Sequence, residues 1–129
     1  ELRPDYVDAH HNVGVTYLQM KDFDNAIVWF EKALAIHPIP QTYNDLGVAY
    51  YNKGNMAKAE ESFKKAIGLN LNSGPPYHSL GILYYTQGKT EEARQAWKKA
   101  LELDPSIQGA KQGLKMIEQS LPVSPLVSP

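Results

Sequence analysis

VGVTYLQMKDFDNAIVWFEKALAIHP, residues 13–38, returns as LGVAYYNKGNMAKAEESFKKAIGLNL at 46–71 and as LGILYYTQGKTEEARQAWKKALELDP at 80–105. The copies align on Gly14, Gly47 and Gly81, which stand 33 and 34 residues apart. Repetition at such a period specifies units stacked in a row, each too small to bury its apolar face alone. The columns have mechanical readings. Ala26, Ala59 and Ala93, then Ala33, Ala66 and Ala100, are small where helices must approach closely. Tyr17, Tyr50 and Tyr84 recur, as do the large aromatics Phe30, Phe63 and Trp97, which are expected to fill the space between helix pairs. Apolar residues return every three or four positions, so each copy holds two amphipathic helices, A and B.

A short turn separates helix A from helix B at Lys21-Asp22, Gly54-Asn55 and Gly88-Lys89. Gly54 and Gly88 suit a left-handed C-cap, and Asp22, Asn55 and Thr90 suit an N-cap. Pro38 and Pro105 end helix B in the first and third copies. Ile107, Ala110, Leu114, Ile117 and Leu121 then form one apolar stripe backed by Lys111, Gln112, Lys115, Glu118 and Gln119. This is expected to be a capping helix that covers the apolar face of the last repeat.

The Leu-Gly, Tyr, Ala, Phe and Pro columns resemble the tetratricopeptide repeat, a helix–turn–helix unit of about 34 residues. His10, Tyr43 and Tyr77 stand where that family often has Trp. The resemblance implies an all-α, right-handed α-solenoid. Its expected divisions are repeat 1 at 7–39, repeat 2 at 40–73, repeat 3 at 74–106, a capping helix at 107–121 and a Pro-rich extended tail at 122–129. Leu2-Arg3-Pro4-Asp5 looks like Leu103-Asp104-Pro105-Ser106, so residues 1–6 read as the end of a preceding repeat or a cut point.

The family's A helices line a concave groove that takes an extended peptide or a helix. Carried onto this chain, the groove columns are Asp8, His11, Asn12, Val15, Leu18 and Gln19 in repeat 1. They are Gln41, Asn44, Asp45, Val48, Tyr51 and Asn52 in repeat 2, and Pro75, His78, Ser79, Ile82, Tyr85 and Thr86 in repeat 3. Some members of the family grip acidic chaperone tails with a carboxylate clamp of Lys, Arg and Asn. Here the clamp columns hold His11, Val15, Asp45, Pro75 and Ser79. With no cation present, and with Asp45 repelling a carboxylate, the expected ligand is neutral, apolar or mildly basic. Asn12, Asn44 and Asn52 are suited to bonding a peptide backbone, and Tyr51 and Tyr85 to anchoring it. The Asn12, Asp45, Ser79 column also partly resembles the asparagine ladder of O-linked N-acetylglucosamine transferase repeats. That likeness implies a substrate-presenting or regulatory domain of a larger enzyme.

Composition sets the outer limits. Thirteen basic and 14 acidic residues give a formal net charge of −1, without the basic excess of a nucleic-acid binder. The chain has no cysteine, which excludes disulfide and thiolate chemistry. No apolar run approaches the roughly 20 residues that span a bilayer, and no signal peptide is visible, so membrane insertion is not expected and a soluble, cytoplasmic setting is the default. His10 and His11 are adjacent, and on a helix they point roughly 100° apart, a poor arrangement for metal ligands. No nucleophile–base constellation or phosphate loop is present, so neither catalysis nor a cofactor is expected. The expected partners are a protein or peptide, with self-association through the N-terminal face or the Pro-rich tail as the alternative.

Overall fold

The structure, a computed structural model, describes residues 4–120, with side chains from residue 6 onward. Seven helices follow one another, and there is no strand among the described residues: α1 (Pro4–Gln19), α2 (Phe23–Ile36), α3 (Pro40–Lys53), α4 (Met56–Leu69), α5 (Gly74–Thr86), α6 (Thr90–Leu103) and α7 (Gln108–Ser120). Helix α1 opens at Pro4, three residues ahead of the first expected boundary. Residues 1–3, Leu121 and the Pro-rich tail at 122–129 lie outside the described residues.

The three glycines set the distance between the helices of each pair. A Cβ on Gly14 would meet Phe30 at 2.5 Å, one on Gly47 would meet Phe63 at 2.5 Å, and one on Gly81 would meet Trp97 at 2.4 Å. The recurring aromatic therefore seats against the glycine of its own helix A and also packs against the next helix pair. Burial then continues across repeat boundaries. Ala26 and Phe30 of α2 pack with Leu46 and Ala49 of α3. Ala59 and Phe63 of α4 pack with Leu80 and Leu83 of α5. Ala93, Trp97 and Ala100 of α6 pack with Ala110 and Ile117 of α7. Each core cluster needs residues from two units, which is why one unit alone would not hold.

Turn chemistry repeats as faithfully. The amides of Asp22, Asn55 and Lys89 donate to the carbonyls of Tyr17, Tyr50 and Tyr84 at 2.8–2.9 Å. Gly54 and Gly88 take φ of 87° and 78°, and Lys21 takes 63° at the same place in repeat 1. Asp22 and Asn55 cap α2 and α4 by accepting from the amides three residues on. Repeat 3 departs from expectation. Lys89, not Thr90, occupies the cap position, its side chain makes no cap bond, and Thr90 is the first residue of α6. The glycine frame dictates this, since the cap stands eight residues beyond each glycine.

Helices α1, α3, α5 and α7 each touch the next of their own set, whereas α2, α4 and α6 do not touch one another. The stack therefore curves with the A helices on its inner, concave side. On the outer side the Lys64–Glu60 and Lys65–Glu61 pairs close at 2.8 and 3.2 Å, as their i,i+4 spacing predicts.

Candidate peptide-binding groove

None of the 18 expected groove residues, which lie on α1, α3 and α5, is fully buried. Many are nonetheless tied to one another across repeats. His11 Nδ1 lies 3.0 Å from the hydroxyl of buried Thr42, and His11 Nε2 lies 3.3 Å from Asp45 Oδ2. The ring thus bridges Thr42 and Asp45 of α3, one nitrogen to each. One repeat further on, the Ser79 hydroxyl donates to Asn44 Oδ1 at 2.9 Å. Tyr51 Oη and Thr86 Oγ1 are 2.6 Å apart. Histidine, amide and hydroxyl side chains thus join α1 to α3 and α3 to α5 along the groove floor. Burial pushes the Asp45 carboxyl above the usual aspartate range, and His11 partly offsets this.

Two hollows open on the α3–α5 side of this floor. One, of about 210 Å³, is lined by Val48, Tyr51, Asn52, Ser79 and Ile82, with Phe63 beneath. The other, of about 430 Å³, lies at the N-terminal ends of α3 and α5. Gln41, Asn44, Asp45, Pro75 and Pro76 are among its walls. The Asn44–Ser79 bond connects the two, because each partner lines a different hollow. Phe63 is the residue that sequence reasoning passed over. Its column reads as packing, and nothing in the pattern shows that the ring also floors the groove.

Several expected residues stand apart. Asp8 and Asn12 are exposed on α1 and line neither α3–α5 hollow. Val15 and Leu18 lean on the core between α2 and α3, and Tyr85 tilts onto Trp97 with ring centroids 5.7 Å apart. Asn52 donates to the carbonyl of Val48 in its own helix. His78 also meets the junction with α7. Its Nδ1 accepts the Trp97 indole N–H at 3.0 Å, and a Cβ on Gly109 would come within 2.5 Å of its Nε2. Burial lowers the imidazole pKa. A Cβ on Gly113, one turn on, would strike Trp97 at 2.5 Å. The spacing Gly109…Gly113 was the available signal for this close seat, and a reading of the apolar stripe alone overlooks it.

The two N-terminal histidines diverge as their adjacency requires. His10 sets its ring edge on Trp29 of α2, centroids 5.4 Å apart, while His11 turns to α3. Among the described residues no three His, Cys, Asp or Glu side chains gather closely enough to hold a metal ion. No helix there is long and apolar enough to cross a membrane.

Residues 38–106 match a family model of the tetratricopeptide repeat, and residues 7–39 match a second such model. Among curated proteins, BBSome complex member BBS4 of Bos taurus is 40% identical over 57 residues, which cover 44% of this chain and 11% of that protein. Response regulator aspartate phosphatase E of Bacillus subtilis is 31% identical over 68 residues, 48% of this chain and 18% of that one. The chain thus spans less than a fifth of either relative. Among solved structures, the first TPR domain of human RPAP3 superposes with a TM-score of 0.85 at 26% identity, covering 91% of this chain and 93% of that one. The first TPR of Spaghetti (RPAP3), bound to the HSP90 peptide SRMEEVD, gives 0.83 at 25% identity over 92% and 94%. With matching helix pairs, glycine-seated aromatics and a groove lined by its A helices, this chain belongs to the tetratricopeptide repeat family.

Proposed function

We propose that this chain is a protein-interaction scaffold whose concave groove binds an extended segment of a partner that is neutral, apolar or mildly basic. The similarity to a domain that holds the HSP90 peptide SRMEEVD supports the groove as the place of binding. The chemistry of the groove argues for a different ligand. The observation that carries this reading is the charge of the groove floor. No Lys or Arg stands among the groove residues, and Asp45, paired with His11, occupies a clamp column. An acidic tail there would lose its water without gaining a cation. The 210 Å³ hollow instead offers Val48, Tyr51 and Ile82 to an apolar side chain.

Fluorescence anisotropy with labelled SRMEEVD and with apolar peptides selected on the immobilised chain tests this. SRMEEVD is expected to show no saturable binding, while selected apolar peptides bind. Tyr51→Ala is expected to weaken the selected peptides by about 2 kcal/mol, in the range of interface anchors, with helical circular dichroism retained. Tight capture of SRMEEVD, or selected peptides indifferent to Tyr51→Ala, would overturn the reading.

A further inference from the structure

The groove reading leaves open which side chains a ligand presents, and the two α3–α5 hollows bear on that question. Among the described residues, Asp45 is the one charged residue lining the larger of these two hollows. Its Oδ2 faces His11, and among the described residues no hydrogen bond is made to its Oδ1. Beside it Asn44 uses one lone pair of Oδ1 for Ser79 and keeps another. Both side chains line the same hollow, and the Asp45 carboxylate suits a cationic donor. The hollow also lies at the starts of α3 and α5, where helix dipoles would ordinarily favour an anion. Here that tendency is cut back, because Pro40, Pro75 and Pro76 line the site and proline has no N–H to offer.

The smaller hollow is apolar apart from its rim. An engineered cavity of roughly 150 Å³ elsewhere admits benzene, so 210 Å³ accommodates one large aliphatic or aromatic side chain. Spacing links the two hollows. Along α3, Asp45 precedes the walls Val48 to Asn52 by three to seven residues, or roughly 5–10 Å at 1.5 Å per residue. In an extended peptide, neighbours point to opposite sides, and residues two apart share a side at about 7 Å. Residues four apart, at about 13 Å, overshoot.

We propose that the α3–α5 groove recognises a two-point motif in an extended peptide: a large apolar side chain in the Val48–Tyr51–Ile82 hollow and, two positions away, a lysine or arginine on Asp45. The proposal rests on the groove reading above and adds the position and charge of a second anchor. The raised carboxyl of Asp45 is a group that gains from a cation, since a positive neighbour favours its ionised form.

A phage library of randomised nine-residue peptides, panned on the whole chain, tests it. Enriched peptides are expected to carry Lys or Arg two positions from Leu, Ile, Val, Met or Phe. Asp45→Asn, which still accepts from His11, is expected to bind the leading peptide about tenfold more weakly, in line with loss of one charge-assisted bond. Replacing the peptide's basic residue by Gln should cost the same on the native chain and almost nothing further on Asp45→Asn. An apolar consensus without the basic position, or equal losses on both proteins, would overturn the motif and leave the groove reading standing. Enrichment of acidic peptides, or of nothing, would overturn both.

Discussion

Lys21 is a residue held in an unfavourable place by its surroundings. The turn between helices A and B requires a left-handed residue, which Gly54 and Gly88 supply without cost. Lys21 adopts φ of 63° because the amides of Lys21 and Asp22 must still reach the carbonyls of Leu18 and Tyr17, both within 3.0 Å. A side chain in that region costs on the order of 1 kcal/mol. Lys21→Gly is therefore expected to stabilise the chain by about 0.5–1 kcal/mol, measured as a higher urea midpoint at unchanged slope. At this scale much was legible. Glycine and aromatic columns can be read as partners from their fixed spacing. The direction of packing was not legible, because a column shows that Phe30 recurs without showing that its ring lies on Gly14.

Helices differ in how their ends are satisfied. Asp22 and Asn55 each cap the helix they precede, and the backbone at Lys89 has nearly the same angles, φ −87° and ψ 73°, without a capping side chain. Lys89→Asn is expected to raise stability by about 0.5–1 kcal/mol by accepting from the Glu92 amide, visible as an increase in Tm. Helix α7 packs against a titratable group, His78. His78 accepts from Trp97, and its folded-state pKa lies below the ordinary imidazole value. Folding thus favours the neutral ring. That contribution is full above about pH 6.5 and is lost as pH falls through the lowered value. Thermal unfolding is expected at a lower temperature at pH 5 than at pH 7.5, and His78→Gln, which keeps an acceptor for Trp97, should narrow the difference. An equal difference in both proteins would remove His78 as the cause. The sequence identifies α7 by its apolar stripe, but the column of His78 gives no sign of a contact with α7. That contact exists because α7 brings Gly109 against its ring.

The described residues form a line of near-neighbour contacts, since no helix among them touches one more than two places along the chain. Damage at one end should stay there. Gly113→Val would drive a side chain into Trp97, lifting α7 and admitting water to the indole. Trp97 emission is expected to shift to the red and amides of α6 and α7 to exchange faster, while those of α1 and α2 keep their protection. Uniform loss of protection would show a more cooperative stack. The repeat period, the seven helices and the turn positions were determined by the sequence by itself. Such features depend on spacing along the chain and on residue type, and helical periodicity converts both directly into faces. Tertiary structure alone decided which groove residues answer one another. His11 meets Asp45, Ser79 meets Asn44, and Phe63 reaches through to the concave side. Those relations depend on the angle and offset between neighbouring helix pairs, which the packing of side chains across repeats sets and no single repeat contains.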